Sequence, residues 1–201
     1  MPTGEEPEEV DVTQFYVRTE DLVPCASPKA EAAALVEQLD SATWTVACAA
    51  LLNARRLAVH NREDLTGVLE AVLPRLKNHI NSLRSSLCKT ALICAADFFM
   101  AYGDDMFPHL PVGSPSLLGT LLHKAALEKR FVMDEAKRTL ATVIKFNSSD
   151  SLLPLLLLHV SEMNPKVRAV VAKCVVDTVD KALAESGAGA QVRQYVCFPF
   201  K

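Results

Sequence analysis

The chain has 201 residues, half of them hydrophobic but only 6% aromatic, and a formal charge of −3. That is the length of one domain, with enough apolar content for a continuous core, in an Ala/Leu-rich mixture that suits packed helices rather than sheets. The charge is uneven: eight acids against two bases among residues 1–31 leave a net +3 on the remainder, too small an excess to point to nucleic acid but compatible with an acidic protein partner.

Residues 1–27 are polar and acidic and contain Pro2, Pro7 and Pro24, a composition that predicts disorder or loose attachment. Within them the apolar patch Phe15–Tyr16–Val17 is free either to pack back on the domain or to face a partner. Helical periodicity begins at Pro28, a good first helical residue after a Ser27 cap. Eight helices are expected from there. The first pair covers 28–39 and 43–60, broken at Asp40-Ser41. The second covers 62–78 and 82–102, with Asn81-Ser82 between them and Ser82 as cap. A Gly/Pro-rich loop from Gly103 to Pro115 follows. The third pair spans 115–128 and 131–146, joined through Glu128-Lys129-Arg130. The fourth covers 149–162 and 165–185, with Asn164 as cap and Pro165 in the first turn. Gly187 and Gly189 then end the domain at about residue 187, and the tail 188–201 reads as the start of a fifth unit.

The second helix of each pair opens on one template: a large apolar residue, then a small one five positions on. The pairs are Trp44 with Ala49, Leu83 with Cys88, Phe131 with Ala136 and Val167 with Ala172, and the starts lie 39, 48 and 36 residues apart. Two helices recurring at roughly 40–47 residues are the mark of HEAT and armadillo solenoids. The predicted fold is therefore an all-α superhelix of about four antiparallel helix pairs. Ala49, Cys88, Ala136 and Ala172 are expected at equivalent close-packed positions. A terminal repeat normally turns a polar face outward, yet Val170, Val171, Val175, Val176 and Val179 make the last helix apolar, so a cover is expected there.

Chemistry is harder to place. The six cysteines show neither a C-x-x-C pair nor metal-ligand spacing, and those in helical patterns serve as small core residues in a reduced compartment. The five histidines are isolated and mostly near helix ends, where the macrodipole favours them. No Gly-rich phosphate loop occurs, and Glu63-Asp64 and Asp104-Asp105 read as caps and solvated charge. No catalytic constellation and no cofactor or metal site is expected. The acidic start, MPTGEEPEEV, has no apolar core of a signal peptide, and no apolar run approaches a membrane span. A cytoplasmic protein without membrane, nucleic-acid or small-molecule ligands is the expectation.

In an antiparallel solenoid the turns from first to second helices line one edge. Here that edge would carry Trp44, then Asn81, Leu83 and Arg84, then Lys129 and Arg130, then Asn164, Lys166 and Arg168. Trp and Arg are enriched at interface hot spots. A structural role is open for some of them: Trp44 sits in the large-apolar slot and would be core, while Arg84 and Arg168 share a slot from which they would bond carbonyls of the preceding repeat.

The stretches LDSATWTVACAALLNARRLAVHNREDL, NSLRSSLCKTALICAADFFMAYGDDM, LEKRFVMDEAKRTLATVI and NPKVRAVVAKCVV together resemble TOG-type domains, especially the CLASP N-terminal class. The likeness covers residues 31–185 and extends to small single-TOG armadillo-type proteins of plants and algae and to TOG-array proteins of animal cilia. There are fewer repeats here than such domains usually carry, and Ala47 stands where CLASP-type sequences often place an Arg. The resemblance implies binding of αβ-tubulin or microtubules through the intra-repeat turns, in the cytoskeleton or a cilium. Trp44 would insert against tubulin, Leu83 would give an apolar contact, and Lys129, Arg130, Lys166 and Arg168 would face acidic surface. The alternative is a generic HEAT/armadillo scaffold with another partner.

Overall fold

Short polar turns punctuate amphipathic helices along the whole computed structural model, which describes residues 11–110 and 116–186. The helices are α1 (Pro28–Leu39), α2 (Trp44–His60), α3 (Arg62–Thr66), α4 (Leu69–Ile80), α5 (Ser85–Tyr102), α6 (Leu117–Ala125), α7 (Arg130–Phe146), α8 (Ser149–Leu157) and α9 (Pro165–Glu185), and no strand occurs among the described residues. The short links fold α1 on α2, α4 on α5, α6 on α7 and α8 on α9 as helical hairpins. The second helices α2, α5, α7 and α9 pack in succession, and α1, α4 and α6 form a parallel layer behind them. This is the all-α helical-repeat fold that the periodicity predicts. The core runs between the layers, from Leu35 and Leu51 through Leu73, Phe98 and Leu121 to Val143, Leu156 and Val171, all 1% exposed or less.

The caps follow local chemistry. Ser116, Ser148 and Asn164 each accept a backbone N–H of the helix they open, and Pro165 follows Asn164. Ser27 precedes Pro28 without a side-chain cap bond. The expected helix 62–78 is in fact two, interrupted at Gly67-Val68. Its first turn is pinned from outside: the Tyr102 hydroxyl donates to the carbonyl of Arg62 at 3.1 Å, and the Arg62 guanidinium lies 4.5 Å from the Tyr102 ring centre. Two other first helices are shorter than expected, α6 stopping at Ala125 rather than 128 and α8 at Leu157 rather than 162. Gly103 ends α5 at φ +53°, where a Cβ would lie 3.2 Å from the carbonyl oxygen of Phe146, and residues 103–109 make a 3₁₀ segment. Residues 111–115 of the expected loop, and the tail from 187, lie outside the described residues.

The repeat register differs from the expected one. Seven residues beyond the helix caps Thr43, Arg84, Lys129 and Asn164 stand Ala50, Ala91, Ala136 and Val171, each 1% exposed or less. Of the four anticipated equivalents only Ala136 holds this position. Cys88 is buried one turn earlier, and Ala49 and Ala172 are exposed. The large residues that set the expected register sit at different distances from their caps: Leu83 one before, Trp44 one after, Phe131 two after and Val167 three after. A one-residue offset turns a side chain by ~100° around a helix of 3.6 residues per turn, enough to move it from core to solvent. On α9, Val171 is core and Val176 and Val179 are exposed.

The segment before α1 also departs from its composition. From Asp11 onward it is an ordered strap across the second helices rather than a loose tail. Phe15 is buried and meets Trp44 edge-to-face, centroids 6.4 Å apart. Tyr16 packs on Phe131 of α7, and the Lys89 ammonium sits 4.5 Å and 4.4 Å from those two ring centres, with Glu135 3.6 Å away. Farther on, Arg55 donates to the Val17 carbonyl at 2.7 Å and to Asp97 at 2.5 Å, and the Thr19 hydroxyl donates to the other Asp97 oxygen at 2.6 Å. His60 closes the path by donating to the carbonyl of Leu22 at 2.8 Å. Of the two places open to the Phe15–Tyr16–Val17 patch, it takes the one against the repeats.

Candidate partner-binding edge

Three of the four intra-repeat turns are built by one device. Ser41 accepts the N–H of Thr43, Ser82 that of Arg84, and the Asn164 side chain that of Lys166, at 3.1, 3.2 and 2.9 Å. Such side-chain-to-backbone bonds shape the chain for a turn before the helix starts.

Contacts between neighbouring turns set them side by side. The Arg84 guanidinium lies over the Trp44 ring, 4.6 Å from its centre. Arg75 pairs with Asp40 at 2.6 Å, and His79 donates to the Leu39 carbonyl, which ties the second turn to the first. Lys129 donates to Ser85, joining third to second. Lys166 pairs with Glu128 at 2.6 Å, joining fourth to third. His123 and His159 both approach Glu162, at 3.5 and 3.3 Å, and brace the last turn. The edge expected from the order of turns is therefore continuous.

Its residues divide by role. Leu83 is 99% exposed. Met163, which no sequence pattern singles out, is 94% exposed and stands, like Leu83, immediately before a helix cap. Ala42 and Glu128 hold the same place in the other two turns, both exposed. Lys129, Arg130 and Lys166 project from the edge, Arg130 with a long 3.6 Å contact to Asp134. Asn81 is an exposed C-cap of α4.

Three residues have structural work. Asn164 is a cap. Arg168 donates to the carbonyls of Glu162 and Met163 at 2.8 and 2.9 Å, holding its own turn rather than the preceding repeat. Arg84 is itself the cap residue of α5, whereas Arg168 lies four residues past Asn164, so the two are not equivalent. Trp44 falls between the two roles open to it: half-buried, with Phe15 against one part of the ring and Arg84 against another.

The edge is basic. Among the described residues Arg84, Lys129 and Arg168 have no carboxylate partner. The hydrogen bond from Lys166 holds the Glu128 carboxyl below its ordinary value, and the bond with His159, aided by His123, does the same for Glu162. Both acids are thus ionised as bracing groups.

Other polar side chains make contacts within the fold. His60 and His79 serve backbone carbonyls, and His109 approaches Glu70 at 3.5 Å. Asp104 accepts from the backbone of Ser148 and the hydroxyl of Ser151, tying the opposite edge of the stack, and Asp105 pairs with Arg62. Burial pushes the Cys174 thiol up to about 11 and Cys94 well above the usual range. Among the described residues no group of three or more His, Cys, Asp or Glu is placed to hold a metal, and no helix is long and apolar enough to cross a membrane. No family model matches the chain.

Proposed function

We propose that this protein is a non-enzymatic tubulin- or microtubule-binding module of the cytoskeleton, and that it acts through its intra-repeat turns. The observation that carries the proposal is the basic edge itself, with Leu83 and Met163 standing free in solvent on an edge where Arg84, Lys129 and Arg168 have no carboxylate partner among the described residues and Lys129, Arg130 and Lys166 project outward. An apolar side chain exposed at the tip of a turn serves no core, and cations spaced along one edge suit an acidic protein surface. Exposed charges of this kind speed association and select the partner more than they add affinity. The resemblance of residues 31–185 to TOG-type domains supplies tubulin as that acidic partner.

A second reading has one specific observation in its favour. Trp44, on which the tubulin reading leans, is covered in part by Phe15 and Arg84. A generic helical-repeat scaffold for another acidic protein needs only the exposed tips and the cations. Co-sedimentation with microtubules across a salt series separates the two. The tubulin module pellets with the polymer at low salt and is released as salt rises; a scaffold for another partner stays in the supernatant throughout.

A further inference from the structure

The strap delivers the chain to the basic edge. It runs along the second helices from His60 at the far end of α2, past Arg55 and Asp97, to Phe15 on Trp44 and Tyr16 on Phe131, which stand at the starts of α2 and α7. Asp11, which caps the 3₁₀ turn Val12–Phe15, is the last described residue on this path. The ten residues before it carry Glu5, Glu6, Glu8 and Glu9 and no base. The described chain therefore begins one short turn from Phe15 and Tyr16, whose ring partners Trp44 and Phe131 adjoin Arg84 and Arg130. Extended, ten residues reach ~33 Å, and neighbouring helices are spaced ~8–10 Å, so every turn of the edge is within range.

We infer that residues 1–10 are an intramolecular occupant of the basic edge, a tethered acidic ligand that competes with the protein partner for the same cations. This rests on the reading of the edge as the partner surface. Each exposed ion pair is weak, but the tether supplies the segment at an effective concentration of order millimolar. A segment whose own dissociation constant is ~0.1–1 mM then lowers the apparent affinity of the partner about two- to tenfold. A partner that displaces it also draws on the cover over Trp44, because the segment continues directly into Phe15.

Two measurements on the full chain test this. In the first, zero-length carbodiimide coupling joins carboxylates to nearby lysines, read by mass spectrometry. Links from Glu5, Glu6, Glu8 or Glu9 to Lys129 and Lys166 are expected; links spread evenly to Lys137, Lys145 and Lys173 would overturn the docking. In the second, the variant Glu5→Gln/Glu6→Gln/Glu8→Gln/Glu9→Gln is compared with the unaltered chain for binding to poly-L-glutamate and to microtubules. A two- to tenfold gain on polyglutamate supports the competition, and equal binding of the two proteins refutes it. If the polyglutamate gain appears while neither protein binds microtubules, tethered occupancy stands and the tubulin reading fails.

Discussion

Asp97→Ala tests how the strap is fastened. Asp97 is 3% exposed and Arg55 fully buried, and the carboxylate receives both the Arg55 guanidinium and the Thr19 hydroxyl. Removing it leaves a buried guanidinium whose one described anion is gone, while another of its nitrogens is already without a partner. Breaking a buried pair in this way costs ~3–5 kcal/mol. In a domain of this size each kcal/mol lowers the melting temperature by ~2–4 °C, so a drop of roughly 6–20 °C is expected. Urea unfolding gives the free energy directly, and amide exchange across residues 15–22 shows whether the strap loosens first. The double replacement Arg55→Leu/Asp97→Leu should recover much of the loss, because it removes the stranded charge as well. A loss below ~1 kcal/mol in Asp97→Ala, with unchanged exchange in the strap, would refute the account of this pair as a desolvated lock.

Three further outcomes follow from the packing. Ala136→Leu overpacks a closed position and should cost ~1–3 kcal/mol, whereas Ala49→Leu points to solvent and should change stability by less than ~0.5 kcal/mol; equal effects in thermal melts would void the register. Trp44→Ala loses an edge-to-face contact and a cation–π contact, together ~1–2.5 kcal/mol beyond its share of buried area, so calorimetry should place it between an inert surface change and a full core deletion. The Glu162 carboxyl, lowered from 4.5 first by its bond with His159, contributes stability that is complete above 4.5 and is lost as pH falls through its folded value. The urea midpoints of Glu162→Gln and the unaltered protein should therefore converge on acidification below 4.5, and a gap independent of pH would show that the ionised carboxylate is not the brace.

The hairpins were legible because their ends carry local chemistry. Ser27-Pro28, Asn164-Pro165 and the serines of the turns mark helix starts within a few residues of where they fall. The split at Gly67-Val68 was not, since one Gly inside a helical pattern is tolerated as often as it breaks a helix, and the contact that ties down the first piece comes from Tyr102, 40 residues away, reaching the carbonyl of Arg62. The register slipped for a related reason: apolar size is a poor ruler when Leu83 is a solvent tip and Val167 is core. The strap was invisible in composition, since the bonds that hold it, from Thr19 to Asp97, Arg55 to the Val17 carbonyl and His60 to the Leu22 carbonyl, are all long-range and carry no local signature. On the edge, the order of turns was enough to gather Lys129, Arg130 and Lys166. It could not distinguish Arg168, which holds its own turn, from a free cation, nor reveal that Met163 matches Leu83.

In the proposed function the turn edge binds tubulin by charge and exposed apolar tips. Lys129→Glu/Arg130→Glu alters two projecting residues that lie outside the core, so the fold should melt as before. Microtubule co-sedimentation of this variant beside the unaltered chain, over the same salt series, is the direct test. Saturable binding of the unaltered protein is expected, weakened at least several-fold by the charge reversal and less steeply dependent on salt in the variant. Equal binding of both proteins, with the fold intact, would contradict it.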